Sequence, residues 1–373
     1  MRRVFRYRLY PTRQQVRAMT QMLETHRRLY NRALAERQAA WEQERRSVGF
    51  FEQSAHLKVE RQTNPYLAQT NFSSCQATLR RLERTFQAFF ARAQRGETAG
   101  YPKFKGRDHF TTVDFATHGD GCKIVEDRVY FQHIGRMRFV QHRPIAGQIK
   151  TLSFTRQGDK WYLLVSCDLG APDAKPHSGP AVGIDVGLEK FATFSTGEQI
   201  ANPRFFRKDE RELARAQRRL SKEAKGTPER KRRRKVVQKI HARIANRRKD
   251  FAHKLSRRLV DEFGVIVFED LEIARMMQHP TLAKSIADAA WNQVMTYTEY
   301  KVEETGAACL QVDPRGTSQR CSTCGTVVKK ALSERVHQCP ACGLEIDRDL
   351  NAALNILGLG LHSLGAEPAK PVS

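Results

Sequence analysis

Residues 181–187 read AVGIDVG, a short apolar run with one carboxylate, Asp185, set inside it. Such a run between turn-forming residues is a buried strand. An ionised carboxylate there costs desolvation energy unless it is paired or used. Lys190–Ser195 (KFATFS) follows after a glycine-containing break, which makes the two stretches a hairpin. Downstream, Phe263–Phe268 (FGVIVF) reads as a second buried strand. Glu269 comes next and falls at its carboxyl end, where α/β sheets carry their sites. Ala283–Thr305 reads as helix and Ala308–Val312 as a further strand. Strand, strand, basic helices, strand, helix, strand is the order of a mixed α/β layer with helical elaboration.

The basic helices between the hairpin and the second strand span Arg204–Arg258, with 23 Lys or Arg and 6 Asp or Glu in 55 residues. Gly226, Thr227 and Pro228 break them into an antiparallel pair. Leu213 and Leu220 on one arm, and Val237, Ile240, Ile244, Phe251 and Leu255 on the other, give each an apolar stripe. The run Lys231–Lys235 cannot all face one groove, and its expected role is phosphate contact without base choice.

Upstream of residue 181, Gly170–Pro180 holds three prolines and two glycines and is a linker. Residues 2–10 (RRVFRYRLY) alternate basic and apolar side chains, a strand with one solvated basic face. Helices are expected over about 13–44 and 71–95. Cys122–Val125, Arg128–Phe131, Ile149–Thr155 and Trp161–Cys167 then read as a small antiparallel β unit, which the opening strand would join. Arg3, Arg6, Arg8 and the loop Tyr101–Arg107 are candidate nucleic-acid contacts, whereas Tyr7 and Tyr10 either stack on bases or sit in a core, the core being the favoured reading.

The chain of 373 residues has 65 Lys+Arg against 40 Asp+Glu, a net charge of +25. Such an excess repels itself unless a polyanion is near, so DNA or RNA is the natural partner. Met1–Tyr10 lacks the apolar stretch of a signal peptide, and no apolar run reaches the roughly 18 residues of a membrane span. A cytoplasmic, nucleoid-associated, prokaryotic location is expected. Cys321 and Cys324, then Cys339 and Cys342 after 14 further residues, repeat one spacing, each pair followed by glycine (Gly325, Gly343). Four thiolates so spaced match a tetrahedral structural Zn²⁺ site. His337 is close but not needed as a ligand, and Cys75, Cys122, Cys167 and Cys309 read as small buried hydrophobes.

Asp349, in DRDLNAALNI (347–356), stands near the start of a short amphipathic helix. A carboxylate there either caps the helix or turns toward the sheet to hold a metal. Metal-assisted phosphodiester hydrolysis places two ions about 3.5–4 Å apart among several oxygen ligands. Hard Mg²⁺ takes carboxylate and water. Asp185, Glu269 and Asp349 meet that demand if they converge; either Glu269 or Asp270 points inward on the residue pattern alone.

GIDVG (183–187), FEDL (268–271), CSTCG with CPACG, and DRDLNAALNI, in this order and with GTSQRCSTCG (316–325) leading the first cysteine pair, together resemble the TnpB nuclease family. That family, also called OrfB, is related to the type V CRISPR effectors. The resemblance is close over about 180–358 and looser before it. It implies an α/β, RNase H-like (RuvC-type) nuclease domain over 181–312 and 345–358, with a zinc-knuckle, target-nucleic-acid-binding insertion over 313–344. It implies an N-terminal β-barrel-like wedge domain (1–10 and 101–170) carrying a helical recognition insertion (11–100), a linker at 171–180 and a C-terminal tail at 359–373. By resemblance Asp185, Glu269 and Asp349 are the catalytic, Mg²⁺-holding triad and Asp347 a supporting residue. The implied activity is RNA-guided cutting of double-stranded DNA beside a short flanking motif, at one site, by a monomer bound to a guide RNA from the transposon end. The competing readings are a cleavage-inactive RNA-guided regulator, a strand-transfer transposase and a zinc-containing scaffold or RNA chaperone.

Overall fold

The computed structural model describes residues 1–171, 176–329, 331 and 334–365. The chain divides into two units, Met1–Ala171 and Pro172–Ser373. The part of the linker at 172–175 and the tail Ala366–Ser373, read from sequence as disordered, lie outside the described residues.

The first unit opens with β1 (Arg2–Tyr10) and four helices, α1 (Arg13–Glu44), α2 (Phe50–Thr63), α3 (Pro65–Ala68) and α4 (Phe72–Gln94). Thr12 caps α1 in a capping box with Gln15, and Asn71 caps α4. Six strands follow: β2 (Thr112–Phe115), β3 (Cys122–Val125), β4 (Arg128–Phe131), β5 (Gly135–Val140), β6 (Gln148–Gln157) and β7 (Lys160–Asp168). All pairings are antiparallel, in the order β2-β6-β7-β1-β5-β4-β3. The opening strand thus lies at the sheet's centre, and the helices are inserted between it and the rest. Phe115 of β2 and Phe131 of β4 lie near opposite ends of that order, yet their rings are 4.9 Å apart. The sheet therefore curls strongly, although among the described residues β2 and β3 are not paired with each other. Phe5, Tyr7 and Leu9 face its core. Tyr10 does not: it is 56% exposed, a correction to the reading that placed it in the core, because it alternates onto the outward face with Arg6 and Arg8.

The second unit begins with β8 (Ala181–Val186), β9 (Lys190–Phe194) and β10 (Gln199–Ala201). The basic arms are α5 (Phe205–Ser221) and α6 (Pro228–Glu262). Then come β11 (Val265–Glu269), α7 (Ile273–Met276), α8 (Ala283–Ala289), α9 (Trp291–Thr305) and β12 (Ala308–Val312). The helix expected over 283–305 breaks at Ala290, which adopts φ 56°. Two short strands, β13 (Val336–Gln338) and β14 (Glu345–Asp347), pair before α10 (Arg348–Ser363). Helix α10 runs five residues past 358, where the tail was expected to begin, because Gly360 seats it: a Cβ there would come within 2.7 Å of Val267 Cγ1.

The main sheet has the order β10-β9-β8-β11-β12, with β11 parallel to both neighbours and β9 antiparallel to β8. Val182, Ile184, Ile266 and Phe268 pack on one face with Leu255 and Leu259 of α6 and Trp291 and Val294 of α9. Helix α10 covers the other face. Gly183 permits its close approach, since a Cβ there would fall 2.5 Å from Leu357 N. Both faces of β11 are therefore covered, which is why its sequence is continuously apolar instead of alternating.

Candidate active site and four-cysteine centre

Strand pleating decides which carboxylates meet. Along a strand, residues two apart share a face. Gly183 and Val267 face α10, so Asp185 and Glu269 face it too. The parallel register pairs Val267 with Gly183 and Phe268 with Ile184. One step further, Asp185 and Glu269 stand level on adjacent strands. Asp270, the alternative to Glu269, is exposed, and its N–H donates to Val312 O at 2.8 Å.

Helix α10 brings the third carboxylate. Asp347 caps it, its Oδ1 accepting from the N–H groups of Asp349 (2.8 Å) and Leu350 (3.2 Å). Asp349 is thereby free of capping duty and is largely buried. Burial, followed by the charges of Glu269 and Asp349, raises the carboxyl of Asp185 from its ordinary value to about 8, with Arg348 opposing. Burial likewise raises Glu269, against a hydrogen bond from Thr317. Burial alone would raise Asp347 as well, but the Lys190 ammonium at 3.1 Å and the two helix N–H groups outweigh it and hold it low.

Arginines stand against Asp349. Arg348 donates to its Oδ1 at 3.0 Å, and Arg335 lies 3.9 Å from Oδ2 while pairing with Glu189 at 2.7 Å. The charges of Glu269 and Asp349 bear on Asp185, yet the three carboxylates are not drawn into one tight ligand knot. Among the described residues, the four cysteines are the set whose ligand atoms all lie within 4.8 Å of one another.

That set is a pair of matching turns. Gly325 N–H donates to Cys321 O, and Gly343 N–H to Cys339 O, each at 2.9 Å. The two glycines have φ 76° and 75°, a left-handed conformation other residues seldom hold. Cys321 Sγ lies 3.6 Å from Cys342 Sγ, and Cys324 Sγ 3.5 Å from Cys339 Sγ. A tetrahedral Zn²⁺ with bonds near 2.3 Å spaces its sulfurs by about 3.8 Å, so the donor set fits structural zinc. His337 is buried and outside the set. The other cysteines are inert by comparison, burial pushing Cys122 and Cys309 up to about 12.

Several residues of the site were not singled out in the sequence. Thr317 Oγ1 donates to Glu269 Oε1 at 2.6 Å. Asn351 and Asn355, on α10, clamp the segment entering the first cysteine turn: both side-chain amides donate to Arg320 O, at 2.8 and 2.7 Å. Arg348 and Lys190 complete the surroundings. The repeated Asn in DRDLNAALNI was the available signal, since a buried amide on an apolar helix face demands partners.

Of the basic residues, some serve the fold itself. Arg243 and Arg247 bind Asp209 across the α5–α6 pair, and Arg248 binds the buried Asp288 at 2.7 Å. Lys231, Arg232, Arg234 and Lys235 are exposed. On β1, Arg6 and Arg8 lie over the Tyr162 ring at 3.7 and 5.3 Å. Loop 101–107 is pinned to α1 by Asn31, which exchanges two hydrogen bonds with the Lys105 backbone.

Comparison with known proteins bears on this arrangement. The family described as "Probable transposase" (OrfB_IS605) matches residues 164–279, and the "Cas12f1-like, TNB domain" family matches 291–356. A "Helix-turn-helix domain" family matches 1–46, which here folds as β1 and the single helix α1. The "Putative RNA-guided DNA endonuclease" of Streptomyces pristinaespiralis is 35% identical over 97% of this chain and 90% of its own. The chain belongs to the TnpB family. Another relative, the "Putative RNA-guided DNA endonuclease InsQ" of Escherichia coli K12, is 28% identical to this TnpB chain over 95% of it and 92% of the relative. The fold resembles that of Cas12f1 in its complex with sgRNA and target DNA, with a TM-score of 0.60 at 14% identity over 92% of this chain and 82% of the other. TnpB membership and the four-cysteine set agree with the resemblance drawn from the sequence motifs.

Proposed function

We propose that this chain is an RNA-guided DNA endonuclease that hydrolyses phosphodiester bonds at one site made by Asp185, Glu269 and Asp349. The observation carrying the proposal is the pleat and register that turn Asp185 and Glu269 toward α10, with the charge of Asp349 bearing on Asp185. Buried like charges with a raised carboxyl are a donor set that a divalent cation would relieve. Mg²⁺ held by these three residues would supply an activated water and stabilise the leaving oxygen. The chain's own groups orient that set: Asp347 relieves Asp349 of capping, Thr317 binds Glu269, and Arg348 and Arg335 bring positive charge beside Asp349. The strand order supports an RNase H-like, RuvC-type domain, and the curl of the first sheet supports a barrel-like wedge with a helical insertion.

The names of the two relatives and the Cas12f1 likeness support guide RNA and double-stranded DNA as partners. On this reading the RNA derives from the transposon end, a short motif flanks the target, and the complex acts in the cytoplasm of a prokaryote. Among the described residues no helix is long and apolar enough to cross a membrane. Retention of all three carboxylates favours cleavage over a purely regulatory role.

The test is expression with the flanking locus, sequencing of the co-purified RNA, and challenge with a randomised DNA library in Mg²⁺ or EDTA. Specific RNA and Mg²⁺-dependent cuts beside one motif are expected. Asp185→Ala, Glu269→Ala and Asp349→Ala should each abolish cutting and spare RNA binding. Cutting by any one of the three variants would refute the three-carboxylate assignment.

A further inference from the structure

Thr317 is buried, 5% exposed, in the segment joining β12 to the first cysteine turn. Its Oγ1 lies 2.6 Å from Glu269 Oε1 and 3.1 Å from Pro314 O. A hydroxyl has one proton to give, and the shorter contact, to a group that is anionic when it acts as a ligand, claims it. A turn-closing threonine would need only the contact to Pro314, three residues away. The bond to Glu269 reaches across 48 residues and joins two separate elements.

Thr317 is itself held in place. Its carbonyl accepts from Asn355 Nδ2 at 2.8 Å, and the same amide reaches Arg320 O at 2.7 Å. Asn351 accepts from Ser322 N–H at 2.9 Å. Asn351 and Asn355 belong to α10, the helix that carries Asp349, and Cys321 lies between Arg320 and Ser322. One short segment is thus bonded to the strand-end glutamate, to the helix bearing the third carboxylate and to the first cysteine.

We propose that Thr317 is a positioning residue: its hydroxyl aims the Glu269 carboxylate, and its Asn355-held backbone sets that carboxylate relative to α10. This rests on the three-carboxylate reading above. Groups that orient a metal's ligands typically change metal affinity by about 10- to 100-fold when removed.

The test compares Thr317→Val, which keeps the volume and removes the hydroxyl, with Thr317→Ser, which restores it. The full-length, zinc-loaded chain is titrated with Mn²⁺, and loss of the free-ion electron paramagnetic resonance signal reads binding, with Asp185→Ala as the blank. Thr317→Val should bind Mn²⁺ about 10- to 100-fold more weakly and need correspondingly more Mg²⁺ for half-maximal cleavage. Its zinc content and melting temperature should stay near wild type, and Thr317→Ser should recover most of the affinity. Wild-type Mn²⁺ affinity in Thr317→Val, or equal weakness in Thr317→Ser, overturns the proposal. If Thr317→Val loses zinc or fails to fold, Thr317→Cys takes its place: intermediate affinity supports the role and wild-type affinity overturns it. Cleavage surviving in Asp185→Ala would instead overturn the carboxylate reading. Loss of cleavage there, with Thr317→Val unchanged, overturns the role of Thr317 alone.

Discussion

Substitution of Gly183 by alanine tests the geometry at its tightest point. The added methyl would meet the backbone of α10, with Leu357 N at 2.5 Å and Ala353 O closer still. Ordinary van der Waals contact begins at 3.4 Å. Relief therefore requires α10 to retreat by at least about 0.9 Å, the shortfall at Leu357 N, and by somewhat more at Ala353 O. The obstacle is backbone, so no side chain can simply rotate away. Overpacking of this kind costs roughly 1–3 kcal/mol. The retreat carries Asp349 away from Asp185, and a misplacement of about 1 Å can cost on the order of 100-fold in rate. Single-turnover cleavage at saturating Mg²⁺ should fall by about that factor, with RNA binding and zinc content unchanged. Gly358→Ala is the matched control, since it lies on the same helix with nothing within 4 Å of the new methyl. It should hold its rate and gain a few tenths to about 1 kcal/mol of stability. Wild-type cleavage in Gly183→Ala, or equal loss in Gly358→Ala, would refute the claim that flush packing of α10 on β8 sets the site.

Stripping zinc with a chelator, or replacing Cys339 by alanine, should remove one Zn²⁺ per chain and speed hydrogen exchange over 313–347 and the first turn of α10, because Asn351 and Asn355 bond to the cysteine segment. Elemental analysis and exchange mass spectrometry check this, and unchanged exchange after metal loss would count against it. His26 is fully buried between Thr78 and Ser74, and burial, then the charge of Arg81, lowers it to about 3. Its folded value lies below the unfolded one, so stability is full above about pH 6.5 and is lost as pH falls toward 3. At pH 5 the loss is about 2 kcal/mol, which urea unfolding would read as a lower midpoint. His26→Gln should flatten that slope, and an identical slope in the variant would exclude His26 as its source.

The strands AVGIDVG and VIVFE and the cysteine turns were legible because their signals are local: apolar runs between turns, and a repeated spacing with glycine. The choice between Glu269 and Asp270 was not, since it depends on the pleat, fixed only once Val267 is seen against Gly360. Asp347 and Asp349 both suit a helix start, and only the hydrogen bonds show that Asp347 caps. Helix α2 escaped notice because it buries only Gln53 and Leu57 fully, which leaves little periodicity to read. Thr317, Asn351 and Asn355 act through partners some 30 to 48 residues away, a distance over which a polar side chain carries no pattern.

The central place of β1 has a bearing on how the chain is made. Its partners Trp161–Asp168 and Arg138–Val140 are translated long after it. Until then both its edges are open, with Phe5, Tyr7 and Leu9 on one side, while α1 and α4 can form early from local contacts. An unpaired strand of that kind is an aggregation template, and interspersed charge is the usual protection. Arg2, Arg3, Arg6 and Arg8 supply it. Arg6 and Arg8, which stack over Tyr162 in the finished sheet, would together with Arg2 and Arg3 keep the nascent strand from pairing with its copies on neighbouring ribosomes.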